Sequence, residues 1–208
     1  MSIAEPARRG VRLPRQARRE QLLASAQEIF VTRGYHAAAM DEIAVKAGVS
    51  KPVLYQHFPS KLDLYLALLE QSSQDLVERV QQALDGTDDN HMRVRAAIDA
   101  YFAFVDDKSA AFRLIFESDL TNEPAVGAIV EGTDFRCATA VSHVISADTG
   151  LPEDQAMLVA TGLTGMAQTA ARYWLRQQGR IPRDQASQIV SVLAWRGVSG
   201  FPKTDARQ

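Results

Sequence analysis

The sequence predicts an all-α protein of about nine helices, and three observations carry that prediction. Apolar residues recur at helical spacing along almost the whole chain. No β-branched run alternates with period two between turn residues. Glycine, proline and serine stand where the apolar stripes begin or end, as helix starts and stops require. With 208 residues, 46% of them hydrophobic and 23% charged, the chain has ordinary globular usage and enough apolar surface for a core.

The first helix is predicted over Ala17 to Arg33, where Leu22, Leu23, Ala26, Ile29 and Phe30 form a stripe between Pro14 and the stop residue Gly34. A second, short helix covers Met40 to Ala47 and ends in a turn at Gly48, where positive φ meets no Cβ clash. Ser50 is placed to cap a third helix with Pro52 in its first turn, and Pro59 stops it at Phe58. Ser60-Lys-Leu-Asp63 has the pattern of a capping box, opening a long helix to Leu84 with Leu62, Tyr65, Leu69, Leu76, Val80 and Leu84 on one side. Residues 85–90 are the clearest loop. Five more helices follow: Met92 to Asp106, Ala110 to Ser118, Pro124 to Ala147 with a break considered at Gly132, Pro152 to Gln178, and Pro182 to Trp195. The last two start with proline and then acid, which suits the positive end of a helix dipole.

Charge divides the chain. The whole carries a net charge of -2, yet residues 1–61 hold 10 Lys and Arg against 5 Asp and Glu, and the remainder is acidic. Arg8, Arg9, Arg12, Arg15, Arg18 and Arg19 fall in one stretch without an acid. Such a run is either a phosphate-seeking arm or a solvated tail. One cysteine, Cys137, cannot form an internal disulfide, which fits a reducing, cytoplasmic setting. The longest uncharged stretch, Gln155 to Ala171, falls short of the roughly 18 to 20 apolar residues a membrane span needs, so no membrane partner is expected. Nucleophile elbow, phosphate-binding loop and dinucleotide fingerprint are all missing, and Cys137 and His143 stand on different sides of one helix. The expectation is therefore a non-enzyme with no catalytic residue, metal or cofactor.

Residues 40 to 58 read as helix, tight turn and short helix. Ile43, Ala44, Ala47, Val49 and Leu54 supply the small apolar faces that let two helices cross, which is a helix-turn-helix pattern. Ser50, Lys51, Pro52, Val53, Tyr55, Gln56 and His57 are left on the outer face, able to enter a major groove. The string Gly48-Val-Ser-Lys-Pro-Val-Leu-Tyr-Gln-His-Phe-Pro-Ser-Lys61, with Ala26, Phe30, Gly34, Tyr35 and Ile43-Ala44 upstream, resembles the DNA-binding signature of the tetracycline-repressor family of bacterial regulators. The resemblance covers about residues 17 to 70. It implies an N-terminal three-helix DNA-binding domain and a larger C-terminal helical domain for ligand binding and dimerisation. It also puts Ser50, Lys51, Pro52, Val53 and Tyr55 at the DNA face, with Tyr55, His57 and Lys61 on the phosphate backbone. One departure is that Ala38, Ala39 and Met40 stand where the family commonly has a threonine before its second helix, so a hydroxyl cap is missing.

The predicted organisation is a flexible Arg-rich arm over 1–14, a helix-turn-helix domain over 15–61 and a ligand-binding and dimerisation domain over 62–208. Tyr101, Phe102, Phe112, Phe116 and Phe135 are candidate walls of a small-molecule cavity, the alternative being plain core packing. Arg136, Glu117, Asp119 and His143 are its candidate polar anchors. The uncharged stretch reads as buried all round, with Ala156, Val159, Ala160, Leu163, Ala167 and Ala170 on one face and Leu158, Gly162, Gly165 and Thr169 on another. With the final helix it suits a homodimer interface, or else the centre of a monomer's core. The expected partners are thus an operator in double-stranded DNA, a small-molecule effector and a second copy of the chain. The function expected is a repressor released from a palindromic operator by its effector. The alternatives are an activator of the same fold, or a small-molecule-binding protein or enzyme with a helix-turn-helix scaffold.

Overall fold

A computed structural model describes residues 13–107, 120, 122–177 and 180–198. Among the described residues there are eight α-helices and no strand. Arginines 8, 9 and 12 of the arm, the helix expected over Ala110 to Ser118, and the candidates Phe112, Phe116, Glu117 and Asp119 lie outside the described residues.

Helix α1 (Arg15–Ala37) is interrupted at Gly34, whose φ of 73° and ψ of 166° break the helical path where the sequence places a stop. Helices α2 (Met40–Lys46) and α3 (Lys51–His57) are joined by Gly48 at φ 63°, a value that glycine adopts without strain. The corner is closed by the Val49 amide donating to the Ala44 carbonyl at 3.0 Å. Ser50 stands at the N-cap of α3, but its hydroxyl makes no capping bond, in contrast to the expectation. The missing cap at Ala39 is likewise real: the start of α2 has no side-chain cap.

Helix α4 (Lys61–Asp85) opens on the expected box, with the Asp63 amide donating to Ser60 Oγ at 3.0 Å and the Ser60 hydroxyl donating to Asp63 Oδ2 at 2.7 Å. Asp89 caps α5 (Asn90–Asp107), accepting from the Met92 amide at 2.8 Å. Helix α6 (Pro124–Thr149) runs unbroken through Gly132 and ends at Gly150, left-handed at φ 69°. Helices α7 (Glu153–Arg176) and α8 (Arg183–Val198) complete the order, and the Trp174 indole donates to the Ile181 carbonyl at 2.8 Å to hold their connection.

The long helix α4 is the spine. Its first turns pack on α1, where Tyr65 meets Phe30 edge-on at 5.1 Å and Tyr35 at 5.0 Å, and its later turns pack on α5 and α6. Helices α7 and α8 flank α5 from the other side. The small N-terminal unit adds two exposed ion pairs between α1 and α2, Arg33 to Glu42 and Lys46 to Glu28, both at 2.6 Å.

The expectation that the uncharged stretch is buried all round is corrected within a single chain. Ala156, Ala160 and Ala167 are buried, whereas Leu158 is 76% exposed and Tyr173, two residues past the stretch, is 63% exposed. On α8, Ile189 and Leu193 are exposed beside them in type, while Ala186 and Ala194 are buried. Among the described residues, nothing stands within 4 Å of where a side chain on Gly162 or Gly165 would sit. Absence of charge made every face apolar, but only one of them is buried among the described residues.

Candidate nucleic-acid interface and ligand cavity

Leu54 is the one fully buried residue of α3, packed with Phe58 against the N-terminal core. That anchor turns Ser50, Lys51, Pro52 and Tyr55 outward, with Val53 and His57 half-buried beside them. Six of the seven expected DNA-face residues therefore share one surface. Lys51 Nζ sits 2.7 Å from Asp41 Oδ1 on α2 and 6.0 Å from the Tyr55 ring, and the Asp41 contact raises the lysine's pKa.

Lys61 is the exception. Its ammonium donates to the carbonyls of Tyr35, His36 and Ala38 at 2.9, 3.2 and 3.0 Å and lies 4.5 Å from the Tyr35 ring. Three donors meet three carbonyls, so in this structure the lysine expected on the phosphate backbone ties α4 to the end of α1. Sequence could not show this, because the acceptors lie 23 to 26 positions away.

Sequence reasoning also passed over the start of α1 as a wall. Leu13, Pro14, Arg15 and Arg18 form a groove with Val53, Gln56 and His57 of the recognition helix. Arg18 Nη1 donates to Gln21 Oε1 at 2.6 Å, and Gln21 Nε2 donates to the Ala47 carbonyl at 2.9 Å, so the arginine is tied to the turn through one side chain. The Arg19 guanidinium lies 4.5 Å over the Phe58 ring. Partial burial, then the charges of Arg15, Arg19 and Arg18, push the pKa of His57 below its ordinary 6.5. The arginine run was the available signal.

A cavity of about 220 Å³ lies between α4, α5, α6, α7 and α8. Its walls are aliphatic: Val80 and Leu84 from α4, Val94 and Ile98 from α5, Val141 and Val144 from α6, Leu163 from α7. Polar groups gather at the open end, where Arg93 donates to Asp148 Oδ2 at 2.9 Å, Asn90 Oδ1 at 3.0 Å and the Leu84 carbonyl at 3.2 Å. Trp195 of α8 also lines it and meets His91 edge-on at 5.0 Å. Tyr101, Cys137, Thr164 and Ala167 make the buried far end.

Of the five aromatic candidates, Tyr101 lines this cavity. Phe102 is a correction: one position on, its side chain is wholly buried against Trp174, with ring centroids 5.7 Å apart, and is not part of the wall. Phe135 is another, 64% exposed because it is two residues from the wall residue Cys137 and so on the far side of α6. Arg136 is engaged elsewhere, with Glu70 at 3.1 Å and Ser73 at 2.6 Å, and His143 is exposed. No group of three or more potential metal ligands occurs among the described residues, and none of their helices is long and apolar enough to cross a membrane.

The profile of the bacterial regulatory proteins of the tetR family matches residues 22–68. The HTH-type transcriptional activator FasR of Mycolicibacterium smegmatis is 51% identical over 197 residues, covering 95% of this chain and 90% of that one. This chain belongs to the tetR family. Its DNA-binding unit is a helix-turn-helix, and its class is transcription regulation. A TetR-like regulator from Rhodococcus sp. RHA1 superimposes with a TM-score of 0.69 at 29% identity, covering 91% of this chain and all of that one. FadR of Bacillus subtilis, solved in complex with stearoyl-CoA, shares the tetR-family fold with a TM-score of 0.68 over 84% of this chain and 96% of its own, at 18% identity.

Proposed function

We propose that this tetR-family protein is a homodimeric, effector-responsive regulator whose operator affinity is set by an amphiphile in the α4–α8 cavity. One observation carries the reading: α4 belongs to both sites. Its Leu84 end is cavity wall, and its Lys61 end is clamped to the DNA-binding unit. A ligand that displaces Val80 and Leu84 tilts a helix whose other end holds α1, and with it the recognition helix. Couplings of this kind are typically about 1 to 3 kcal/mol.

The aliphatic wall with a polar mouth at Arg93 suits a molecule with an apolar chain and a charged or polar head. The stearoyl-CoA held by the Bacillus FadR is of that class and serves as the first probe. The dimer uses the outward faces of α7 and α8, where Leu158, Tyr173, Ile189 and Leu193 are open and the two glycines leave room for a close helix. Two recognition helices then read half-sites about 34 to 36 Å apart. Such a protein acts on DNA in the cytoplasm as a binding protein, not an enzyme.

The sign of regulation follows the relative's name: activation, with repression the competing outcome. The test is selection of bound genomic fragments followed by in vitro transcription from them, with and without stearoyl-CoA. Rising transcript with protein supports activation, falling transcript supports repression, and binding unaffected by stearoyl-CoA and by other acyl chains contradicts the effector reading.

A further inference from the structure

The buried end of the cavity carries a polar atom with no hydrogen-bond partner among the described residues. Tyr101 stands eight residues beyond Arg93 on α5, lines that end and is 3% exposed. Among the described residues its buried hydroxyl has no hydrogen-bond partner. Buried polar atoms are nearly always satisfied, so an exception beside a cavity raises the question of what would satisfy it. The surrounding groups do not. Thr164 gives its hydroxyl to the Ala160 carbonyl at 2.9 Å. Burial pushes the Cys137 thiol up to about 12, so it stays uncharged and a weak partner. Asp134, whose charge acts on the phenol, accepts from Gln168 at 3.5 Å.

We infer that the Tyr101 hydroxyl is the recognition point for a neutral oxygen at the far end of the effector. The backbone positions of Arg93 and Tyr101 are separated by an axial rise of about 12 Å along α5, a length that an extended chain of roughly ten carbons matches. The charges of Asp134 and Arg172 act on the phenol with opposite sign, so a buried anion there would lose its water with no net countercharge, and a neutral oxygen, as in a hydroxyl or a ketone, fits. A plain saturated chain fills the cavity but leaves the phenol unsatisfied. This inference rests on the cavity being the effector site and adds a requirement to it.

The test is calorimetric titration of the full-length protein with decanoate and with ω-hydroxydecanoate. The wild type should bind ω-hydroxydecanoate at least as tightly as decanoate. Tyr101→Phe keeps the ring and removes the hydroxyl, so it should shift the ratio of the two affinities about tenfold toward decanoate, the effect of one buried hydrogen bond. An unchanged ratio overturns the inference and leaves the cavity reading intact. Failure of both chains to bind a wild type that binds stearoyl-CoA overturns this inference alone, and failure of all three overturns the cavity reading with it. Should Tyr101→Phe not fold, the wild type decides alone: a purely apolar end rejects a hydroxyl, so about tenfold weaker binding of ω-hydroxydecanoate overturns the assignment.

Discussion

The first turns of α4 are held by charge and aromatic contact, whereas its last turns, packed on α5 and α6, also form one wall of a cavity. At Lys61 three carbonyls are gripped and Tyr65 is 1% exposed between Phe30 and Tyr35. At Val80 and Leu84 the neighbours are aliphatic groups around a void, with one directional contact, from Arg93 to the Leu84 carbonyl. A lever needs both properties. The clamped end transmits a displacement, and the end that walls the cavity is where an apolar molecule causes one.

The largest expected effect comes from breaking the clamped end. Tyr65→Ala should cost about 3 to 5 kcal/mol in thermal or denaturant unfolding, the usual range for deleting a buried aromatic. Lys61→Met should cost about 1 to 3 kcal/mol by leaving carbonyls without a donor, and should weaken operator binding by loosening α1. A Lys61→Met protein with unchanged melting and lower operator affinity would return the lysine to the phosphate backbone.

Changes at the cavity end should be milder in stability and stronger in response. Val144→Phe puts a ring into the cavity and should move stability by no more than about 1 to 3 kcal/mol, while operator binding persists and stearoyl-CoA no longer alters it. Smaller still is Asp41→Asn on the recognition face. It frees Lys51 from an exposed pair that adds little to stability, and operator affinity measured by anisotropy should rise a few-fold with a steeper salt dependence.

His57 gives the smallest effect, through pH. Its folded pKa lies below 6.5, so the unfolded chain takes up the proton first. Stability from this group is present above pH 6.5 and is lost as pH falls through the folded value. DNA binding should respond in the opposite sense, tightening on acidification as the imidazolium meets phosphate. His57→Gln should flatten both trends.

The fold was legible in the sequence because its boundaries are local. Gly34, Gly48 and the Ser60 to Asp63 box each act within a few residues, and each marks a helix end or turn in the structure. The outward face of α3 was legible for the same reason, since Leu54 fixes the face of a seven-residue helix. Long-range contacts were not. Nothing near Lys61 says that it reaches back across more than twenty positions, and counting aromatics between residues 102 and 135 does not say which side of a helix each one takes. Phe102 went to the core and Phe135 to the surface. The cavity wall is valine, leucine and isoleucine, types common to any helical core, so no residue pattern set it apart.

Coupling between the two ends of α4 is tested most directly by titrating an acyl-chain ligand, stearoyl-CoA first, into the protein with and without saturating operator DNA. A shared lever requires reciprocity: the ligand should weaken operator binding by about five- to 150-fold, and the operator should weaken ligand binding by the same factor. Equal ligand affinity for the free and the operator-bound protein would contradict it.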